Sequence, residues 1–190
     1  MNLDADILLW INGHYAKWAD TLMWWTSMVV TWLPLYVLLL GLVVWKYRNW
    51  RAVLLITIGF VVAVGLSDFI CSGILKPLFC RLRPTREPAL DPLHLVNNYI
   101  GDPYGFCSSH AANTMACATL FCLLYRHKIA TALLMLWVAL NCYSRMYLGA
   151  HYPTDIIAGL AVGALLAALV YWALSRWLPE GDEAARQGGS

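Results

Sequence analysis

The chain has 190 residues, 61% of them hydrophobic and 13% charged, with a net charge of +2 and a mean hydropathy of +0.60. A soluble domain carries about 25% charged residues, so these figures exclude an ordinary soluble enzyme, a disordered chain and a secreted disulfide scaffold. So small a net charge gives no footprint for nucleic acid, which leaves an integral membrane protein.

The first twenty residues place Leu3, Ile7, Ile11, Tyr15 and Trp18 near helical spacing, with Asp4, Asp6, Asn12, Lys17 and Asp20 mostly between them. That pattern predicts an amphipathic helix lying in the membrane interface; the alternative is a sixth, poorly formed span. Asp4 and Asp6 stand where a signal peptide needs basic residues. Beyond them, residues 21–45 hold no charged residue, 52–75 only Asp68, 103–125 none, 129–149 only Arg145, and 156–175 none. A helix needs roughly 20 apolar residues to span the hydrocarbon, so five spans are expected near 24–45, 52–75, 108–125, 129–148 and 155–177. The runs do not alternate in polarity, which argues against a barrel, and lipid leaves helices as the way to satisfy the backbone. The expected fold is an all-α, polytopic transmembrane bundle in one domain, 1–178, followed by a polar cytoplasmic tail, 179–190.

Five spans put the N-terminal helix and the 76–107 and 149–154 connections on one side. The other side carries Lys46, Arg48, Arg51, Arg126, Lys128, Arg176 and Arg186, against Lys17, Lys76, Arg81, Arg83, Arg86 and Arg145. Setting aside Lys76, Arg83 and Arg145 as groups held for chemistry, the positive-inside rule makes the first of these two sides the periplasmic or exterior one. Of six cysteines, Cys80 and Cys107 share that side, and a disulfide between them is left open. The others read as small apolar fillers, and no spacing suggests a metal site.

Charges at a membrane face invite a functional question. Lys76, Arg81 and Arg83 follow the second span; Ser108, Ser109 and His110 open the third; Ser144 and Arg145 close the fourth; His151 and Asp155 open the fifth. Cations without matching acids want an anion. Arg83 and Arg145 suit bidentate contacts to phosphate oxygens, Lys76 adds a point charge, and the helix start at Ser108–His110 adds backbone N–H groups. Asp155, four residues after His151, can orient its imidazole as a nucleophile, and His110 can protonate a leaving oxygen. The bland reading of His151 and Asp155 is a helix cap beside an incidental histidine. Asp68 reads as a hydrogen-bonded partner, with Arg145 as one candidate. His14, His94 and His127 read as ordinary surface or interface histidines.

Lys76-x6-Arg83-Pro84, Ser108-Ser109-His110 and Ser144-Arg145-x5-His151-x3-Asp155 together resemble the three-part signature of the type 2 phosphatidic acid phosphatase (PAP2) family, over roughly residues 20–177. The resemblance implies that His151 attacks phosphorus to form a phosphohistidine, with Asp155 orienting it and His110 as general acid. It implies that Lys76, Arg83, Ser108, Ser109 and Arg145 bind phosphate, with Arg81 and Ser144 as auxiliary candidates, and that no metal or cofactor is needed. One departure is Cys107-Ser108-Ser109-His110 where the family usually has Pro-Ser-Gly-His, so Ser109 brings a side chain to a glycine position.

The expected function is a membrane lipid phosphatase acting on a bilayer substrate at the periplasmic or exterior face, in a bacterial inner membrane. Undecaprenyl pyrophosphate is the first candidate, and lipid A phosphate or phosphatidylglycerol phosphate the runner-up. A non-enzymatic anion or lipid transporter is the reading of another class, and it leaves His110 and the His151–Asp155 pair unexplained. Gly159 and Gly163 fit internal packing or a dimer seam equally, so the oligomeric state is unreadable.

Overall fold

The computed structural model describes residues 3–90 and 92–178; the tail expected at 179–190 lies outside them. Helices α1 (Leu3–Gly13) and α2 (Lys17–Ser27) lead, and a short turn at Val29–Trp32 enters α3 (Leu33–Tyr47). Helix α4 (Trp50–Asp68) runs through a wide-turned segment, Phe69–Leu75, into α5 (Lys76–Phe79), making one apolar rod of 30 residues. Then come α6 (Ser109–Tyr125), α7 (Lys128–Tyr147) and α8 (Pro153–Leu174). There is no strand among the described residues, only an isolated bridge between Leu82 and Tyr104.

Four of these segments, 29–47, 50–79, 128–147 and 153–174, are long and apolar enough to cross a membrane by length and composition. The remaining expected span, the third, is α6; it has 17 residues, about 26 Å at 1.5 Å per residue, and it is the central helix, packed against α4, α7 and α8. Its Ala111, Ala112, Ala116, Cys117 and Ala118 are buried, and side chains this small let its neighbours come close. Gly159 and Gly163 of α8 meet it backbone to backbone: a Cβ at Gly159 would stand 2.4 Å from the Ser108 carbonyl, and one at Gly163 2.2 Å from that of Ala112. In lipid such close packing replaces the hydrophobic drive between helices, so this glycine pair serves internal packing. Large apolar side chains such as Val37, Val61, Leu136 and Ile157 face outward. Exposed Trp45, Trp50 and Trp177 ring one end, and Trp10 and Trp18 the other, as interfacial belts do.

The helices turn back tightly. Arg48 and Arg126 adopt left-handed backbone (φ 47° and 52°) after α3 and α6, and the side chains of Asn49 and His127 accept backbone N–H groups of the helices that follow.

The N-terminal segment departs from expectation. It forms two helices rather than one, and the first span begins near residue 29 rather than 24. The break is anchored by protein contacts. Asn12 donates to the carbonyls of His94 (3.0 Å) and Tyr147 (2.8 Å) and accepts the His94 N–H. Asp20 of α2 accepts the Tyr147 hydroxyl at 2.6 Å and pairs with His94 at 2.9 Å. Both helices thus clasp the site end of α7. All six cysteines are free thiols; Cys80 is exposed, while Cys107 is buried in a cluster with Cys71 and Ala112, so the Cys80–Cys107 disulfide does not form.

Candidate active site

The site lies at the end of the bundle where α6 and α8 begin and α5 and α7 finish. Pro77 in the rod has no N–H to give and its ring crowds the carbonyl four residues back, and the turns before it widen. This segment brings Ser72 and Lys76 to α6: the Ser72 and Ser109 hydroxyls are 2.8 Å apart, and Lys76 Nζ donates to each at 3.1 Å. Ser109 therefore uses the side chain that glycine would lack to fix Lys76. Ser108 is the N-cap of α6. Its Oγ accepts from the Ala111 N–H and its own N–H donates to the Asp155 carbonyl at 2.9 Å, so its hydroxyl stabilises the helix start rather than facing outward.

The 81–105 connection folds back on itself through Arg83 N–H to Pro103 carbonyl (3.0 Å) and Gly105 N–H to Arg81 carbonyl (2.9 Å). This turns the Arg83 side chain inward, where it is 4% exposed. Arg145 reaches the same place from α7 and is 5% exposed. Both guanidiniums donate to one oxygen, the Tyr99 hydroxyl, at 3.3 Å and 3.0 Å. Arg83 also donates to the Tyr104 carbonyl and lies 3.6 Å from Asp102. Arg145 Nε is buried without a hydrogen-bond partner, although buried polar groups are normally paired. Arg145 and Arg83 lie within electrostatic range of both His110 and His151.

His151 is 1% exposed and Asp155 fully buried. His151 Nδ1 lies 3.7 Å from Asp155 Oδ2, longer than a hydrogen bond, and is otherwise unpartnered. The carboxylate is engaged elsewhere too: Oδ2 accepts the Tyr152 N–H at 3.0 Å, and Oδ1 accepts from Arg81 at 2.7 Å. Asp155 is thus both a helix cap and the acidic neighbour of His151. Burial, and then the charges of Arg145, Arg83 and Lys76, push the His151 imidazole well below the ordinary histidine value, so it is neutral at neutral pH. His110 sets its Nε2 3.2 Å from the Ser27 carbonyl. A carbonyl only accepts, so Nε2 carries the proton and Nδ1 is left as the acceptor.

Residues 56–179 match the description PAP2 superfamily. The chain belongs to the PAP2 superfamily. It is 32% identical over 173 residues to a lipid A 4'-phosphatase of Bacteroides thetaiotaomicron, covering 90% of this chain and 76% of that one. It is likewise 32% identical over 183 residues to a lipid A 4'-phosphatase of Porphyromonas gingivalis, covering 94% and 77%. A Sulfolobus acidocaldarius undecaprenyl-diphosphatase is 30% identical over 138 residues, 73% of this chain and 61% of that one. The crystal structure of Aquifex aeolicus LpxE shares the fold, with a TM-score of 0.68 at 20% identity over 90% of this chain and 95% of that one. The PAP2 chain is a membrane lipid phosphatase that hydrolyses phosphate esters.

Several expectations change in this PAP2 structure. Ser144 is buried and its Oγ donates to the Asn141 carbonyl of its own helix, so it is no auxiliary phosphate ligand. Arg81 is held by two carboxylates, Asp4 and Asp155, and by Thr154 Oγ1 at 2.6 Å, which leaves it a structural bridge. Asp68 pairs with Asn113 (3.3 Å) and not with Arg145. Tyr99, Ser72 and Asp4 carry no signature position; Tyr99 is a lone aromatic in a connection, and Asp4 reads as one acid of an amphipathic helix.

Asp4 ties α1 to the start of α8. It accepts the Thr154 N–H at 3.0 Å, the Thr154 hydroxyl at 2.6 Å and Arg81. Burial pulls the Asp4 carboxyl upward, but the hydrogen bonds from Thr154 and Arg81 outweigh it and hold it below the ordinary aspartate value. Asp4→Ala should cost about 1–2 kcal/mol, as for a lost helix cap. That is a drop of about 2–8 °C in the melting midpoint. Thermal melts in detergent check it, and Asp4→Glu should recover part of the loss.

Proposed function

We propose that the chain removes phosphate from a lipid phosphate monoester of the lipid A type, through a phosphohistidine on His151. The observation that carries the reading is the set of half-buried Lys76 and buried Arg83 and Arg145 around a neutral His151, with Arg145 Nε lacking an acceptor. A phosphate oxygen satisfies such donors. The His151 nitrogen facing away from Asp155 attacks phosphorus as the P–O bond to the lipid breaks. His110, whose Nδ1 is proton-free in this structure, takes up there the proton that arrives with the phosphate monoanion, whose charge offsets Arg83 and Arg145, and gives it to the leaving alkoxide oxygen. In the second step His110, now neutral, takes a proton from water as that water attacks phosphorus and the P–N bond breaks, which releases inorganic phosphate and restores His151. Lys76, Arg83, Arg145 and the Ser109 hydroxyl hold the phosphate oxygens, with the free N–H groups at the start of α6, as an anion at a helix start is held. Asp155 stabilises the charge that His151 gains.

Undecaprenyl pyrophosphate, the first candidate by sequence, gives way to the lipid A class. Two lipid A 4'-phosphatases align over 90% and 94% of the chain, against 73% for the undecaprenyl-diphosphatase. The site-side Arg81, Arg83, Arg86 and Arg145 all have partners within the protein, while Arg48, Arg51, Lys128 and Arg176 are exposed at the other end. That difference supports a site facing the periplasm or exterior.

The test is phosphate release by the purified protein in detergent from bis-phosphorylated lipid A and from undecaprenyl pyrophosphate, with and without EDTA. Lipid A should be preferred at least tenfold in kcat/KM, with no loss in EDTA. A preference for the pyrophosphate overturns the substrate assignment, and abolition by EDTA overturns the metal-independent mechanism.

A further inference from the structure

The rod and α6 are joined by two successive polar rungs. The upper one is Ser72 with Ser109, bonded to Lys76. The lower one, four residues along each helix, is Asp68 with Asn113, whose Nδ2 donates to Oδ1 at 3.3 Å. Asp68 is exposed on an apolar rod that crosses the membrane, where a carboxylate is costly unless it has work to do. Its hydrogen-bond partner is a neutral amide. Asn113 Oδ1 is buried with no partner, and the remaining hydrogen-bonding capacity of the pair is mostly acceptor.

Asn113 also lines a cavity of about 560 Å³ between α3, α4 and α6, walled by Tyr36, Leu39, Phe60, Val64 and Cys117. The cavity starts beneath the catalytic layer, because Asn113 lies one turn beyond His110 and Val29 lies two residues from Ser27, the partner of His110. A lipid with its phosphate at Ser109 and a tail in this cavity must pass its linkage region over the lower rung. Four helical residues set that rung about 6 Å below the phosphate, two or three carbons from the ester oxygen.

We propose that Asp68 and Asn113 form a hydrogen-bond acceptor site that selects lipid phosphates carrying a hydroxyl or amide N–H donor beside the phosphate ester. The proposal rests on the phosphate site described under Proposed function. A site arranged for a donor discriminates against a lipid that lacks one, because the acceptors then stay unpaired.

Ceramide 1-phosphate and phosphatidic acid make a matched pair. Both are phosphate monoesters with two tails; the first has a hydroxyl and an amide N–H near the ester, the second only ester carbonyls. The wild-type chain should favour ceramide 1-phosphate at least tenfold in kcat/KM, chiefly through KM. Asp68→Leu should reduce that preference to threefold or less while phosphatidic acid turnover is unchanged, and the isosteric Asp68→Asn should be intermediate. If the leucine variant does not fold, by its melting behaviour in detergent, the asparagine variant decides alone. Equal wild-type rates on the two lipids, or a preference that survives both substitutions, overturn the acceptor site and leave the phosphatase reading standing. No hydrolysis of any lipid phosphate by the wild-type chain overturns that reading and this one with it.

Discussion

His151→Asn is expected to lower turnover by about 10³-fold or more, the scale on which removing a covalent nucleophile acts, while the protein still folds. The replacement keeps a polar side chain of smaller volume in a site that is 1% exposed in the parent. Substrate binding should change little, since Lys76, Arg83 and Arg145 remain. Turnover and lipid binding measured on the same preparation separate the two effects. The pH profile of the parent reports the same group. Attack needs neutral imidazole, and its protonation is pushed well below the ordinary value near 6.5, first by burial and then by the three cations. Activity should therefore persist as pH falls through 6.5 and decline only at lower pH, once the substrate's own ionisation near pH 6 is fitted separately. Arg145→Gln removes one of those cations, so its residual activity should begin to fall at a higher pH than in the parent.

The second large effect is far less local. Gly159→Ala places a methyl 2.4 Å from the Ser108 carbonyl, a contact with rigid backbone that only movement of α8 away from α6 relieves. Overpacking of this kind costs about 1–3 kcal/mol, or about 2–12 °C in the melting midpoint. Its consequence for activity is larger than its consequence for stability. Helix α8 follows His151 and carries Asp155, and α6 carries Ser109 and His110, so the displacement separates the nucleophile from the general acid. A misplacement of about 1 Å costs about 10²-fold. Gly163→Ala makes the tighter clash, 2.2 Å from the Ala112 carbonyl, but one turn deeper. It should cost similar stability but a smaller loss of activity, and melts paired with kcat/KM on both variants check the contrast.

Much of this was legible in the chain. Uncharged runs located the spans because hydrocarbon tolerates few charges, and residue type with order brought Lys76, Arg83, His110, Arg145, His151 and Asp155 to one face. What was not legible depends on side-chain direction and on non-local partners. The periodicity of residues 3–18 is the same whether a helix floats in the interface or clasps α7 through Asn12 and caps α8 through Asp4. Ser144 adjoins Arg145 in sequence, yet its hydroxyl turns to its own helix. Tyr99 has no periodic neighbour or motif to mark it, and only the folded connection sets its hydroxyl between two guanidiniums. The Asp68–Asn113 rung joins helices 45 residues apart in sequence, so the partner of Asp68 had to come from the structure.

The covalent role of His151 is tested most directly by rapid acid-free quenching of the enzyme turning over a ³²P-labelled lipid phosphate, followed by peptide mapping. An acid-labile, base-stable phosphate on the peptide containing His151, formed and lost at rates compatible with turnover, is the expected result. Phosphate on a different residue, or turnover with no labelled enzyme at any time point, contradicts it.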